Sequence, residues 1–207
     1  MHVLARVGES LQAIIYSVAS ILLYPVLAFL VLGLVLAMYE AGGFTLEAIR
    51  RRRANRGFDL DATATKLAGP SADATLSQVL LQLKARPAMA RAQTSLGDAT
   101  DLSRTRTLKA LADAEIEVTR RLEHTRVLVR IGPMLGLMGT LIPISPALVG
   151  LAQGDVDTLA NNLVIAFSTT VVGLLIAGVA YMITSVRTRL YQQDIVDLEY
   201  LLDRAEV

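Results

Sequence analysis

The chain has no cysteine and no tryptophan, and only two histidines, His2 and His124. Without cysteine there are no disulfides, no zinc–thiolate sites and no thiol catalysis. Two histidines do not make an imidazole-rich metal site, and no cofactor is expected. Without tryptophan, an aromatic belt at a membrane surface must come from tyrosines such as Tyr16, Tyr24, Tyr39 and Tyr181. Charge is scarce as well. Only 19% of residues are charged, against 53% hydrophobic, with a net charge of +1 and a mean hydropathy of +0.49. Soluble domains carry about 25% charged residues. The balance points to a membrane protein and away from nucleic-acid binding.

The most informative absence is local. Three long stretches, 13–39, 131–153 and 159–185, contain no Asp, Glu, Lys, Arg or His. Each is long enough to cross a bilayer as a helix, which takes about 20 residues. The first is too long for the apolar core of a cleavable signal peptide, about 7–15 residues. The expected fold is therefore an all-α membrane protein with three transmembrane helices. An intramembrane ionisable group is the usual mark of a proton relay. This chain supplies none, so it cannot by itself provide a group that titrates at mid-membrane.

The second stretch, IGPMLGLMGTLIPISPALVGLAQ, is not a plain anchor. It holds Gly132, Gly136, Gly139 and Gly150, three prolines (Pro133, Pro143, Pro146), Thr140 and Ser145. Glycines let helices approach closely, and prolines free backbone carbonyls. Such a helix belongs inside an assembly, where neighbours or water satisfy those groups. The hydroxyls here, and Ser168, Thr169, Thr170 and Thr184 in the third stretch, can hold water or contact a carboxylate without adding charge. Ser and Thr also serve as small contact residues between membrane helices, and both readings stand for each.

In chain order, an extracytoplasmic N-terminus (1–12) leads into the first span, which contains Pro25 and gives way at Glu40, Gly42 and Gly43. Arg50–Arg53 and Arg56 follow, as a topology signal or as a contact for lipid or a partner. Residues 40–130 read as a cytoplasmic helical region. Gly69-Pro70 marks a turn, with Asp73 or Thr75 as a cap for a helix through Leu76–Leu83, and Pro87 ends that helix or starts another. A further break is expected at 97–101. No breaker separates Thr107 from Arg130, so one helix should run into the second span. Its expected apolar stripe is Leu108, Leu111, Glu115, Val118, Leu122, Thr125 and Val129. An outer link (154–158) joins the second and third spans. A final helix (186–207), with a stripe of Tyr191, Ile195, Leu198 and Leu202 ringed by Asp194, Asp197, Glu199 and Asp203, should pack on the cytoplasmic part of the second.

Residues 40–130 carry 16 of the 20 Lys and Arg, and the outer link carries none. The positive-inside rule then puts the large loop and C-terminus in the cytoplasm and the N-terminus outside, in a multi-pass protein of the cell's inner membrane.

Two motifs carry a resemblance. Gly132-Pro133-Met134-Leu135-Gly136-Leu137-Met138-Gly139-Thr140 is similar to the APxxGLLGT signature of the MotA/TolQ/ExbB proton channel family. Ala166-Phe167-Ser168-Thr169-Thr170-Val171-Val172-Gly173-Leu174 resembles that family's ALxxTxxGL. The resemblance covers roughly 105–205. It implies a homopentameric ring around a dimer of a single-span partner of the ExbD/TolR/MotB type. The partner's transmembrane Asp titrates inside the ring, and ion flow drives a stator-like molecular motor that does work at the cell envelope, protein transport included. It places Thr140 and Thr170 along the ion pathway; Ser145 and Thr169, hydroxyls of the same spans, are further candidates for it, and Gly132, Gly136, Gly139, Gly173 and Pro143 are read as helix-packing residues. ExbB-like and TolQ-like members carry a Glu five residues before the third-span threonine, where this chain has Ile165. No enzymatic activity is expected, since no cluster of nucleophile, base or metal ligands exists. The competing readings are a membrane assembly scaffold without ion flux and a transporter subunit. Three spans without an inverted repeat speak against the latter.

Overall fold

A computed structural model describes residues 2–54, 62, 63, 65, 72–96 and 104–205. The described residues form helices and turns, with no strand among them. Five helices follow in order: α1 (His2–Ala54), α2 (Ala72–Gln82), α3 (Pro87–Leu96), α4 (Arg104–Ala152) and α5 (Val156–Ala205). Three are long and apolar enough to cross a membrane, over Ser20–Ala54, Arg104–Ala152 and Val156–Ala205.

Some expectations change. Helix α1 continues through Gly42 and Gly43 to Ala54. A helical glycine costs only about 1 kcal/mol, which packing overrides. Helix α4 runs unbroken through 107–130 into the apolar stretch, as its sequence predicts, and carries Pro133, Pro143 and Pro146 inside it. The third span and the final helix are one helix, α5, with Arg187 and Arg189 in its interior. Helix α2 begins at Ala72, so Asp73 and Thr75 lie within its first turn and not ahead of it. Pro87 starts α3, where its missing N–H costs nothing. The turn at 69–70 and the break at 97–101 lie outside the described residues.

The chain divides into two compact units. The first comprises Met1–Tyr39 and Val127–Tyr181. Here α1 contributes Val26, Leu30, Gly33 and Ala37, at helical spacing, to one buried line with Ile176 of α5. Leu128, Leu135 and Ile142 of α4 and Val172 of α5 pack beside it. Most other large apolar side chains of this unit, among them Ile21, Phe29, Leu141 and Leu174, are exposed, as lipid contact requires.

The second unit comprises Glu40–Arg126 and Met182–Val207. Its core joins Leu76, Leu80 and Leu83 to Met89 and Ala92 of α3, Ala110, Ala114, Val118 and Leu122 of α4, and Tyr191, Leu198 and Leu201 of α5. Each buried Leu-sized side chain contributes about 1.5–3 kcal/mol relative to exposure. The final stretch of α5 thus packs on α4 as expected. The α4 stripe is rotated, however. Thr107, Ala110, Ala114, Val118, Leu122 and Thr125 are buried, while Leu108 is 59% exposed and Leu111 only partly covered. Alanine at 110 and 114 brings α4 close to its neighbours, and the larger leucines turn aside.

Two buried charge clusters tie α1 to α5 in this unit. Arg187 donates to Glu40 (2.7 Å) and Glu47 (3.2 Å), and its guanidinium stacks 5.9 Å from the Phe44 ring centre. The Tyr191 hydroxyl donates to the other Glu47 oxygen at 2.8 Å. Further along, Arg51 pairs with Asp194, and Arg86 bridges Asp197 (2.6 Å) and Asp194 (3.6 Å). Asp194, expected at the surface, is 1% exposed, and Arg51 of the basic run is buried with it. Removal of either partner would strand the other's charge in the core.

Candidate functional site: a glycine–threonine helix contact

The motif residues converge where α4 crosses α5 in the first unit. Gly132, Gly136 and Gly139 recur every four and three residues, so they share one face of α4. Thr169 and Gly173 share the facing side of α5. The two backbones touch. A Cβ on Gly132 would lie 2.8 Å from the Gly173 carbonyl oxygen. One on Gly173 would lie 2.6 Å from the Gly132 carbonyl oxygen and 2.8 Å from the Gly136 Cα. A Cβ on Gly136 would meet the Thr169 carbonyl oxygen at 3.3 Å, and one on Gly139 the Thr169 side chain at 2.6 Å. Only glycine permits this approach at 132, 139 and 173. Pro143 is fully buried on the same side of α4.

The hydroxyls divide by position. Thr169 is 5% exposed, sealed against Gly139, and donates to the Ala166 carbonyl at 2.8 Å. Thr140 is half-buried and donates to the Leu137 carbonyl at 2.7 Å. Thr170, also half-buried, reaches the Ala166 carbonyl at 3.4 Å. These back-bonds satisfy each hydroxyl's proton and leave its oxygen lone pairs for a further donor.

Helical geometry places Thr140 and Thr170 roughly 70–80° round their helices from the contact line. Because the helices are antiparallel, both offsets fall on one edge of the contact. The opposite edge, with Leu135, Ile142 and Val172, packs against α1. Thr140 and Thr170 therefore flank the same open edge. Ser145 is exposed on the far side of α4 and does not share it. Ile165 is half-buried on the α1 side.

The apolar stretches end in a tight hairpin. Gly154 adopts φ +77°, the left-handed conformation glycine favours. The Asp155 N–H donates to the Gly150 carbonyl (2.8 Å) and the Gly154 N–H to the Leu151 carbonyl (3.1 Å), a Schellman closure of α4. Asp155 then caps α5, its carboxylate accepting from the Thr158 N–H at 3.0 Å and the Thr158 hydroxyl at 2.5 Å. These bonds hold its carboxyl below the usual aspartate value.

In the second unit, burial pushes the Tyr191 hydroxyl up, and adjacent Glu47 adds to the shift. Burial likewise raises Asp194 against the pull of Arg51 and Arg86. For Arg187, burial opposes the charge, yet the bond to Glu40 and the proximity of Tyr191 and Glu47 hold its value up. No group of acidic or histidine side chains that could hold a metal occurs among the described residues. The Arg51–Asp194 and Arg187–Glu47 pairs leave no local signal in the sequence, since each joins residues about 140 positions apart.

Comparison with known proteins returns one family. The model of the MotA/TolQ/ExbB proton channel family matches residues 80–199, from α2 through α3 and α4 into the last turns of α5. No individual curated protein and no solved structure matches the chain. The family match covers more than half of the 207 residues and includes both glycine–threonine motifs. The chain belongs to the MotA/TolQ/ExbB proton channel family.

Proposed function

We propose that this chain is the ring-forming subunit of a proton-driven membrane motor, with five copies around a dimer of a single-span partner of the ExbD/TolR/MotB type. The partner supplies a transmembrane Asp, and its titration is coupled to work on another component of the cell envelope. The observation that carries this reading is the uncharged character of all three apolar stretches in a member of a proton channel family. Proton transfer across a bilayer needs a titrating group, and this chain contributes hydroxyls only. Thr140 and Thr170 then face the partner's carboxylate from one open edge, while Thr169 and the glycines fix the spacing behind them. Residues 13–39, 131–153 and 159–185 cross the inner membrane, with the N-terminus outside and the C-terminus in the cytoplasm. The protein has no catalytic role of the enzymatic kind.

The test is proton flux into vesicles holding the purified protein. Flux is expected only when the partner is co-reconstituted, and it should vanish when the partner's transmembrane Asp is replaced by Asn. Flux from this chain alone, or flux that survives that replacement, contradicts the reading. Assembly with the partner and no flux at all leaves the scaffold reading.

A further inference from the structure

The second unit carries two faces that no described residue covers and that match each other. On α1, Leu46, Ile49, Arg50 and Arg53 are exposed on one side, while Glu40, Glu47 and Arg51 on the other are buried or half-buried toward α5. On α4, Glu115, Ile116, Thr119, Arg120 and Glu123 line a shallow groove. Ile116 is 67% exposed. This groove lies on the side of α4 away from the buried Ala114–Val118–Leu122 line.

Charge accounting sharpens the match. Glu40, Glu47, Asp194 and Asp197 are all committed to Arg187, Arg51 and Arg86. Arg50 and Arg53 pair with no described residue, and neither do Glu115 and Glu123. One face therefore presents two arginines beside apolar Leu46 and Ile49, and the other two carboxylates and Arg120 beside apolar Ile116, a net negative groove. Gly42 adds a third sign. A Cβ there would meet nothing within 4 Å, so no contact among the described residues accounts for its lack of a side chain.

The two faces lie at one level. A cleft lined by Thr107, Leu108 and Leu111 of α4 and Glu199, Leu202 and Asp203 of α5 sets the antiparallel register. Seven residues back along α5 from Leu201 is Asp194, and seven forward along α4 from Leu108 is Glu115, each about 10 Å along its helix. Arg51 pairs with Asp194, so Arg50 and Arg53 stand within about one turn of the level of Glu115.

We infer that these faces join neighbouring copies of this chain: Arg50 and Arg53 of one subunit sit against the acidic Glu115–Glu123 side of α4 in the next, nearest Glu115, over an apolar contact of Ile49 with Ile116. Two different patches, on different helices of one subunit, make a head-to-tail contact, the kind that closes into a ring. The inference rests on the ring reading above and assigns the contact that sets its order. An anionic lipid headgroup is a poorer occupant. Arg50 lies eleven residues along α1 past the end of the uncharged stretch at Tyr39, about 16 Å of helix.

Because the chain has no cysteine, the pair Arg53→Cys with Glu115→Cys is a clean probe. Mild oxidation of the double variant in membranes should give a reductant-sensitive ladder of multimers on a denaturing gel, with neither single variant doing so. Charge reversal at Arg50→Glu and Arg53→Glu should lower the yield of assembled complex roughly tenfold, as two exposed pairs turn repulsive. Adding Glu115→Arg and Glu123→Arg should restore it. A ring of normal native mass with no ladder and no charge-reversal effect overturns this contact and leaves the ring standing. A monomeric native mass overturns both. Loss that phosphatidylglycerol vesicles repair, and the compensating reversal does not, overturns the contact in favour of lipid.

Discussion

Gly132 and Gly173 meet backbone to backbone, so that a Cβ on either would lie 2.8 or 2.6 Å from the other's carbonyl oxygen. No flexible side chain is present at that point to give way. Gly173→Ala should therefore force α4 and α5 apart, at a cost of about 1–3 kcal/mol or more. A thermal melt of the detergent-solubilised protein should show a clear fall in Tm. Gly178→Ala, on the same helix with nothing within 4 Å of the new methyl, should leave Tm unchanged or slightly higher. Equal effects at the two sites would remove the close-contact argument.

Thr140 and Thr170 offer a functional test separable from packing, since both are half-buried at the edge of that contact. Thr140→Val and Thr170→Val keep shape and remove the hydroxyl. Each should reduce partner-dependent proton flux at least tenfold while native mass stays normal. Thr140→Asp should be more severe, because two close carboxylates cannot both ionise easily, and the pH dependence of flux should shift. Normal flux in the Asp variant would show that Thr140 does not face the pathway.

Asp194 is a stability site. Truncation by Asp194→Ala leaves Arg51 buried without its partner, and Arg51 Nη1 already lacks one among the described residues. The expected loss is about 3–5 kcal/mol, read as a lowered denaturation midpoint. The double variant Arg51→Met with Asp194→Leu should recover part of it, because apolar groups of similar size relieve the stranded charge. Recovery that fails entirely would indicate that the pair has a role beyond neutralising itself.

Asp155 sets a pH dependence. Its carboxyl is held below the ordinary value by the Thr158 bonds, so the folded state favours the ionised cap. That contribution is fully present above the unfolded value of 3.8 and is lost as pH falls through the lower folded value. Thermal melts from pH 6 down to pH 3 should show a decline that Asp155→Asn lacks, since the amide oxygen still accepts from the Thr158 N–H. Parallel curves would show that the cap does not control this transition.

Much of the fold could be read from residue order, for identifiable reasons. Uncharged runs, the unbroken 107–130 segment and the Gly154-Asp155 turn are local signals, and each appears in the helices observed. The glycine–threonine motifs were legible because close approach demands glycine. What escaped depends on distant partners. The α4 stripe runs through Ala110 and Ala114, which hydrophobicity ranks below Leu108 and Leu111, because proximity to neighbouring helices decides what is buried. Arg51 reads as one of four equivalent arginines, and Asp194 as a surface acid, until α5 brings them together. That Thr140 and Thr170 share an edge while Ser145 does not follows only once the facing sides of both helices are known.

The proposed ring takes its titrating group from another protein. Its most direct test is the native mass of the detergent-purified protein, expressed together with a single-span partner that carries a transmembrane Asp. A mass of five copies plus two partner chains is the predicted result. A monomer or dimer with no partner bound would contradict it.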